Sequence, residues 1–214
     1  MGVSVDMSAS HSVSASLPRL LRQRLSALML ATSLGLAAPV AMAQSLPPPD
    51  IGGRSWFLFD VSTNTVLYSQ APDERVEPAS LTKLMTAYVV FEALRDGTLN
   101  LDTRPPVSQA AYKAIGSRMF VDPRKPATVD ELLHGLIIQS GNDAAIILAE
   151  AVSGSEEAFA QQMNAEARRI GMKNSHFVNA SGLPAPEHHS TARDMALLAT
   201  RIIKEFPDYY RMYS

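Results

Sequence analysis

A mixed α/β (α+β) domain in which helices dominate is the fold class that three features of the sequence predict. Two short aromatic and β-branched runs flank a turn near residue 60. About five longer segments repeat their apolar residues at helical spacing. The chain is 46% apolar and 19% charged with no cysteine, so its stability has to come from a packed core rather than from disulfides. The same composition, with a net charge of −2, argues against a disordered chain or a basic nucleic-acid-binding protein. It also excludes zinc ribbons, iron–sulfur clusters and a cysteine nucleophile.

The elements follow in chain order. Residues 1–43 read as an export signal: Arg19, Arg22 and Arg24 form a basic lead, Leu25–Ala38 is uncharged and apolar, and Ala41-Met42-Ala43 supplies a small-residue cleavage boundary before Gln44. The apolar run is short for a spanning helix and is followed by Pro39, which favours cleavage over retention in the membrane. Residues 44–53 form a Pro/Gly linker. Ser55–Phe59 and Val66–Tyr68 are strand-like and are joined by the turn formers Asp60–Thr65, which predicts a hairpin. Pro78-Ala79 precedes a helix starting near Ser80, with Leu84, Tyr88 and Phe91 along one face and Gly97 as its stop. Residues 100–126 are irregular. Thr128–Glu131 has the sequence of a capping box and opens a helix that turns Leu132, Leu133, Leu136 and Ile137 inward. Asp143–Val152 is an apolar helix. Ser155 caps a third, with Phe159, Met163 and Ile170 on one face and Gly171 at its end. Residues 176–186 are loop, and Thr191–Phe206 forms a last helix closed by Pro207. Two strands cannot stand alone, so the hairpin must lie on the helices or pair with further strands; the sheet looks unfinished at Ser214.

Several chemistries lack their motif. There is no Gly-x-Ser-x-Gly elbow, Walker loop or Gly-x-Gly-x-x-Gly. Of the five histidines, His134 reads as a surface or packed helix residue, and His188 and His189, adjacent in a loop after Glu187, point apart rather than toward one metal. No metal and no cofactor is expected.

Ser80-Leu81-Thr82-Lys83 is different. Residues i and i+3 share a helix face, so an amine one turn on can take the proton of a serine hydroxyl if burial lowers its pKa. The leading edge of the helix favours developing negative charge, with the Ser80 N–H as an oxyanion donor. A Ser-x-x-Lys spacing also arises by chance, and Ser80 or Thr82 could act only as an N-cap. Ser140-Gly141-Asn142 is likewise common alone; Ser62–Asn64 repeats it in the hairpin turn, where backbone needs explain it. The second copy, however, joins two apolar helices, where idle polar groups are costly. A serine there can relay a proton, and an asparagine amide can accept from an ammonium and donate to a carbonyl.

The pair, with Ser140-x-Asn142 following Ser80-x-x-Lys83 at a distance of 60 residues, resembles the penicillin-recognising serine enzymes, whose set is S-x-x-K, S-D-N and K-T-G. Residues 75–86, Ser140–Ala145, Phe177–Pro184 and His189–Ala196 together resemble the low-molecular-mass penicillin-binding proteins, the serine D-alanyl-D-alanine carboxypeptidases (peptidase S11-like). The resemblance implies a β-lactamase/DD-peptidase-like fold, an antiparallel sheet flanked by helices with a helical subdomain, and makes residues 54–214 an incomplete catalytic domain. It implies Ser80 as the acylated nucleophile and Lys83 as its base. Ser140 would be the proton relay, and Asn142 would hold Lys83 and the substrate amide. Peptidoglycan stem peptide is then the substrate, β-lactams are covalent inhibitors, nucleic acid is not a partner, and the location is the periplasm or cell envelope with inner-membrane association. None of Lys83, Lys113, Lys125, Lys173 and Lys204 begins Lys-Thr-Gly. That motif, its strand, the family's C-terminal β-rich domain and the membrane-anchoring helix are expected beyond Ser214, which predicts a truncated chain of little activity. The rival readings are a D,D-endopeptidase, a β-lactamase, for which no E-x-x-L-N loop is found, and a non-catalytic peptidoglycan-binding protein.

Overall fold

The computed structural model describes residue 47 and residues 51–214. The chain divides into two units, Met1–Pro48 and Pro49–Ser214. Of the first, only Pro47 is described, exposed and without regular structure. The leader expected over residues 1–43 and most of the 44–53 linker therefore lie outside the described residues.

The second unit opens with the expected hairpin. Strands β1 (Trp56–Asp60) and β2 (Thr65–Gln70) pair antiparallel, Trp56 against Gln70, with an irregularity between Leu58 and Phe59. The Asp60 carboxylate holds its turn: Oδ1 accepts from the Ser62 N–H at 2.8 Å and from its hydroxyl at 2.6 Å, and Oδ2 accepts from Thr63 Oγ1 at 2.7 Å. Asn64 takes a left-handed backbone at φ 57°, a conformation that asparagine tolerates. The first Ser-x-Asn is thus turn chemistry.

A 3₁₀ turn, Ala79–Leu81, leads into α1 (Thr82–Arg95); α2 (Gln109–Tyr112) is a single turn inside the segment expected to be irregular. Then come α3 (Val129–Ile138), α4 (Asn142–Ser153), α5 (Glu156–Ile170), α6 (Ala192–Glu205), α7 (Pro207–Tyr210) and a closing 3₁₀ turn, Arg211–Tyr213. Pro207 does not simply end α6: it occupies the first position of α7, where a missing N–H costs nothing.

The core explains the arrangement. Helix α1 buries Met85, Ala87, Val89 and Val90 as well as Tyr88 and Phe91, so it is apolar all round rather than on the one face its spacing suggested. A helix of that kind has to be enclosed, and α3, α4, α5 and α6 all pack against it. The Thr128 capping box is fully formed, with Thr128 Oγ1 accepting from the Glu131 N–H at 3.1 Å and Glu131 accepting from the Thr128 N–H at 2.7 Å. The hairpin lies against α6 through β1, where the Arg193 guanidinium sits 4.9 Å from the centre of the Phe57 ring. Among the described residues the sheet has two strands, and no helix is long and apolar enough to cross a membrane.

Candidate active site

Ser80 stands in the 3₁₀ turn and not in the α-helix proper. Three residues per turn keep Ser80 and Lys83 stacked, and the Lys83 ammonium donates to Ser80 Oγ at 3.4 Å. This is long for a hydrogen bond. Ser80 is exposed to solvent, while Lys83 is only 5% exposed. Burial lowers the pKa of the amine to about 8. A lysine in that range can accept a proton at neutral pH, which an ordinary one cannot.

The second partner of Lys83 was not foreseen. Its amine donates to the Ser181 carbonyl oxygen at 2.7 Å, and that bond keeps the nitrogen directed; among the described residues no carboxylate pairs with it. Around it, α1 grips residues 176–190. Thr86 Oγ1 donates to the Ala180 carbonyl at 2.6 Å, and Thr82 Oγ1 bonds His188 Nε2 at 2.8 Å. Neither Ser80 nor Thr82 caps α1; its N-cap is Leu81, with no side-chain cap bond. Asn179 shapes the turn that offers the carbonyl, accepting through Oδ1 from the Ser181 N–H at 3.2 Å and the Gly182 N–H at 2.7 Å. Gly182 has φ +83°, and a Cβ there would overlap the Ala79 carbonyl. Only glycine lets this turn lie so close to the residue before Ser80.

Ser140 faces the same side. It lines one cleft of about 120 Å³ with Ser80, Lys83, Leu84, Ile137 and Tyr213. Its Oγ is buried and without a protein partner among the described residues. Its φ of 55°, like the 46° of Ala79, is left-handed. Each such non-glycine residue costs about 1–2 kcal/mol, and conformations of this kind cluster where a site demands them. Both motifs therefore sit on strained backbone beside the cleft.

Asn142 departs from expectation. It does not bond Lys83: its Nδ2 donates to the Ile115 carbonyl at 2.7 Å and its backbone N–H to the Ser117 carbonyl at 2.7 Å. The loop before α3 crosses the start of α4 and takes these donors. Asp143 anchors the same loop, accepting from the N–H groups of Met119 at 3.0 Å and Val121 at 3.2 Å. The structure thus gathers Ser80, Lys83 and Ser140 and leaves Asn142 alongside, fastened to a loop. Of the histidines, His134 is exposed, its Nδ1 2.9 Å from the Asp130 carbonyl. His188 and His189 have separate partners, and no group of three metal-ligating side chains occurs among the described residues.

The profile of the peptidase S11 family, described as D-alanyl-D-alanine carboxypeptidase, matches residues 40–214. The chain belongs to this family. It is 42% identical over 189 residues to D-alanyl-D-alanine carboxypeptidase DacC of Escherichia coli, an alignment covering 84% of this chain and 47% of that protein. The crystal structure of D-alanyl-D-alanine carboxypeptidase DacD from Francisella tularensis superposes with a TM-score of 0.78 at 39% identity, covering 85% of this chain and 44% of that one. Penicillin-binding protein D2 of Listeria monocytogenes in its ampicillin-bound form matches with a TM-score of 0.68 at 29% identity, covering 76% and 66%. The chain spans about half the length of the curated relatives it matches. The S11 match includes the hairpin, both motifs and the 176–190 segment, so the DD-peptidase-type fold expected from the motifs is the fold observed.

Proposed function

We propose that this S11 chain carries the acyl-transfer machinery of a serine D-alanyl-D-alanine carboxypeptidase acting on peptidoglycan stem peptides. The observation that supports it most is a single one: a buried lysine with a pKa of about 8, hydrogen-bonded on one side to an exposed serine hydroxyl and on the other to a carbonyl.

In this reading neutral Lys83 takes the Ser80 proton as Oγ attacks the carbonyl carbon of the penultimate D-alanine. The C–N bond of the tetrahedral intermediate then breaks, and the proton passes by way of Ser140 to the departing D-alanine nitrogen. Ser140 suits that relay because its hydroxyl is buried at the cleft with no other partner among the described residues. Water attacks the acyl-enzyme by the reverse route, giving its proton to Lys83, which passes it to Ser80 Oγ as the ester C–O bond breaks and the shortened stem peptide is released. Asn142, with one amide N–H on Ile115, orients the substrate amide through the rest of its carboxamide. A β-lactam acylates Ser80 by the same first step, its amine staying tethered after ring opening. Residues 1–43 act as an export leader, 44–53 as a linker and 54–214 as part of the catalytic domain, and export puts the enzyme in the periplasm or cell envelope; membrane anchorage belongs to the same proposal.

Fluorescent penicillin applied to the complete protein tests the reading. Covalent label on the parent and none on Ser80→Ala is the expected result, together with D-alanine release from a pentapeptide. Absence of label on the folded parent favours a non-catalytic binder instead. Rapid turnover of the penicillin points to a β-lactamase, and preference for cross-linked dimers to an endopeptidase.

A further inference from the structure

His188 has no place in the acyl-transfer steps, yet it is 4% exposed and doubly bonded. The Val178 N–H donates to its Nδ1 at 3.1 Å. That nitrogen therefore carries no hydrogen, and the neutral ring must bear its hydrogen on Nε2, which donates to Thr82 Oγ1 at 2.8 Å. The ring thus spans from the backbone of residues 176–190 to the residue beside Lys83. The Phe177 ring packs against it in a T-shaped arrangement, centroids 5.8 Å apart.

The position matters because of what the same segment presents. Thr82, Lys83 and Thr86 are all bonded to it, at His188, the Ser181 carbonyl and the Ala180 carbonyl. On its far side Glu156 of α5 accepts from the Ala180 N–H at 2.9 Å, and Asn164 holds both backbone groups of Phe177. Of these ties, the imidazole is the side chain of the segment itself that reaches α1. We propose that His188 is a positioning residue for Lys83: by pinning the 176–190 segment to Thr82 it keeps the Ser181 carbonyl at the amine and keeps the amine desolvated and aimed at Ser80. The inference rests on the acyl-transfer reading above.

Without the ring the carbonyl moves off and water reaches the amine, which then binds its proton more tightly and serves less often as a base. The titratable groups acting on the ring are His176 and His189 of its own segment; Lys83 follows Thr82 on α1, and Glu156 approaches the segment from α5. Glutamine at 188 can restore both bonds, its carbonyl accepting from Val178 and its NH₂ donating to Thr82.

The test is the rate of Ser80 labelling by fluorescent penicillin as a function of pH, in the complete protein, for the parent, His188→Ala, His188→Gln and Thr82→Val. His188→Ala and Thr82→Val are expected to label roughly tenfold to a hundredfold more slowly, with the pH midpoint displaced upward, while His188→Gln returns both to near the parent. Parental rate and midpoint in folded His188→Ala overturn the proposal, as does a slower rate with the midpoint unmoved. If His188→Ala does not fold, the same two criteria are applied to Thr82→Val. An unlabelled parent instead overturns the acyl-transfer reading itself, so the two failures are distinct.

Discussion

In the proposed acyl transfer Lys83 is the residue on which the chemistry turns, and its pH behaviour can be worked out. At pH 7 an amine with a pKa of about 8 is about one-tenth neutral, against about one part in several thousand for an ordinary lysine. Labelling of Ser80 by penicillin is therefore expected to rise with pH through a midpoint near 8; a midpoint near 10.5 would contradict the desolvated amine. The sign for stability follows from the same shift. Between about 8 and 10.5 the unfolded chain holds the proton that the folded chain has lost, so this group makes the fold more stable as pH rises across that window and less stable below it. The Ser-x-x-Lys spacing was legible because it is local, one turn long. The Ser181 carbonyl was not, since a backbone oxygen carries no side-chain signature and lies 98 residues along the chain. The conspicuous stretch around residues 189–196 proves to be largely scaffolding. Thr191 caps α6, Arg193 meets Asp73 at 2.7 and 3.0 Å, and buried Asp194 accepts from Asn174 and Ser175.

Helix α3 shows the same contrast one level up. Its start was readable from four residues, because a capping box satisfies orphan N–H groups within a single turn. Thr128→Ala is expected to cost about 1 kcal/mol, read as a lowered denaturant midpoint with unchanged slope. The C-terminal stop at Gly171, with a φ of +95°, was legible for a like reason. The entry to α1 was not. The 3₁₀ turn that carries Ser80 depends on Ala79 adopting φ +46° beneath Gly182, and that contact joins two distant segments. The environment of α1 was missed similarly: apolar spacing identifies a helix, but only enclosure by four others shows that all its faces are buried.

At the scale of the molecule, a polar cluster ties α1, α5 and α6 together. The Tyr88 hydroxyl donates to Glu205 Oε2 at 2.7 Å and accepts from Arg169 Nη2 at 2.6 Å, and the same guanidinium reaches Glu92 Oε1 at 2.7 Å. Burial and the Glu205 carboxylate raise the pKa of the phenol, so the hydroxyl stays protonated and donates. Tyr88→Phe removes the shared partner while keeping the ring in the core, and is expected to cost about 1–2 kcal/mol, measured by chemical denaturation. A loss below a few tenths would show that the cluster contributes little net stability. From its residue order alone, this protein's hairpin and longer helices, the Thr128 and Ser155 caps and the two motifs bearing Ser80, Lys83 and Ser140 were determined, because periodicity, capping and turn chemistry act within a few residues. Tertiary structure alone decided what surrounds Lys83, where Asn142 points and why His188 is buried. Those depend on desolvation and on backbone groups brought together from opposite ends of the domain, and no local pattern encodes them.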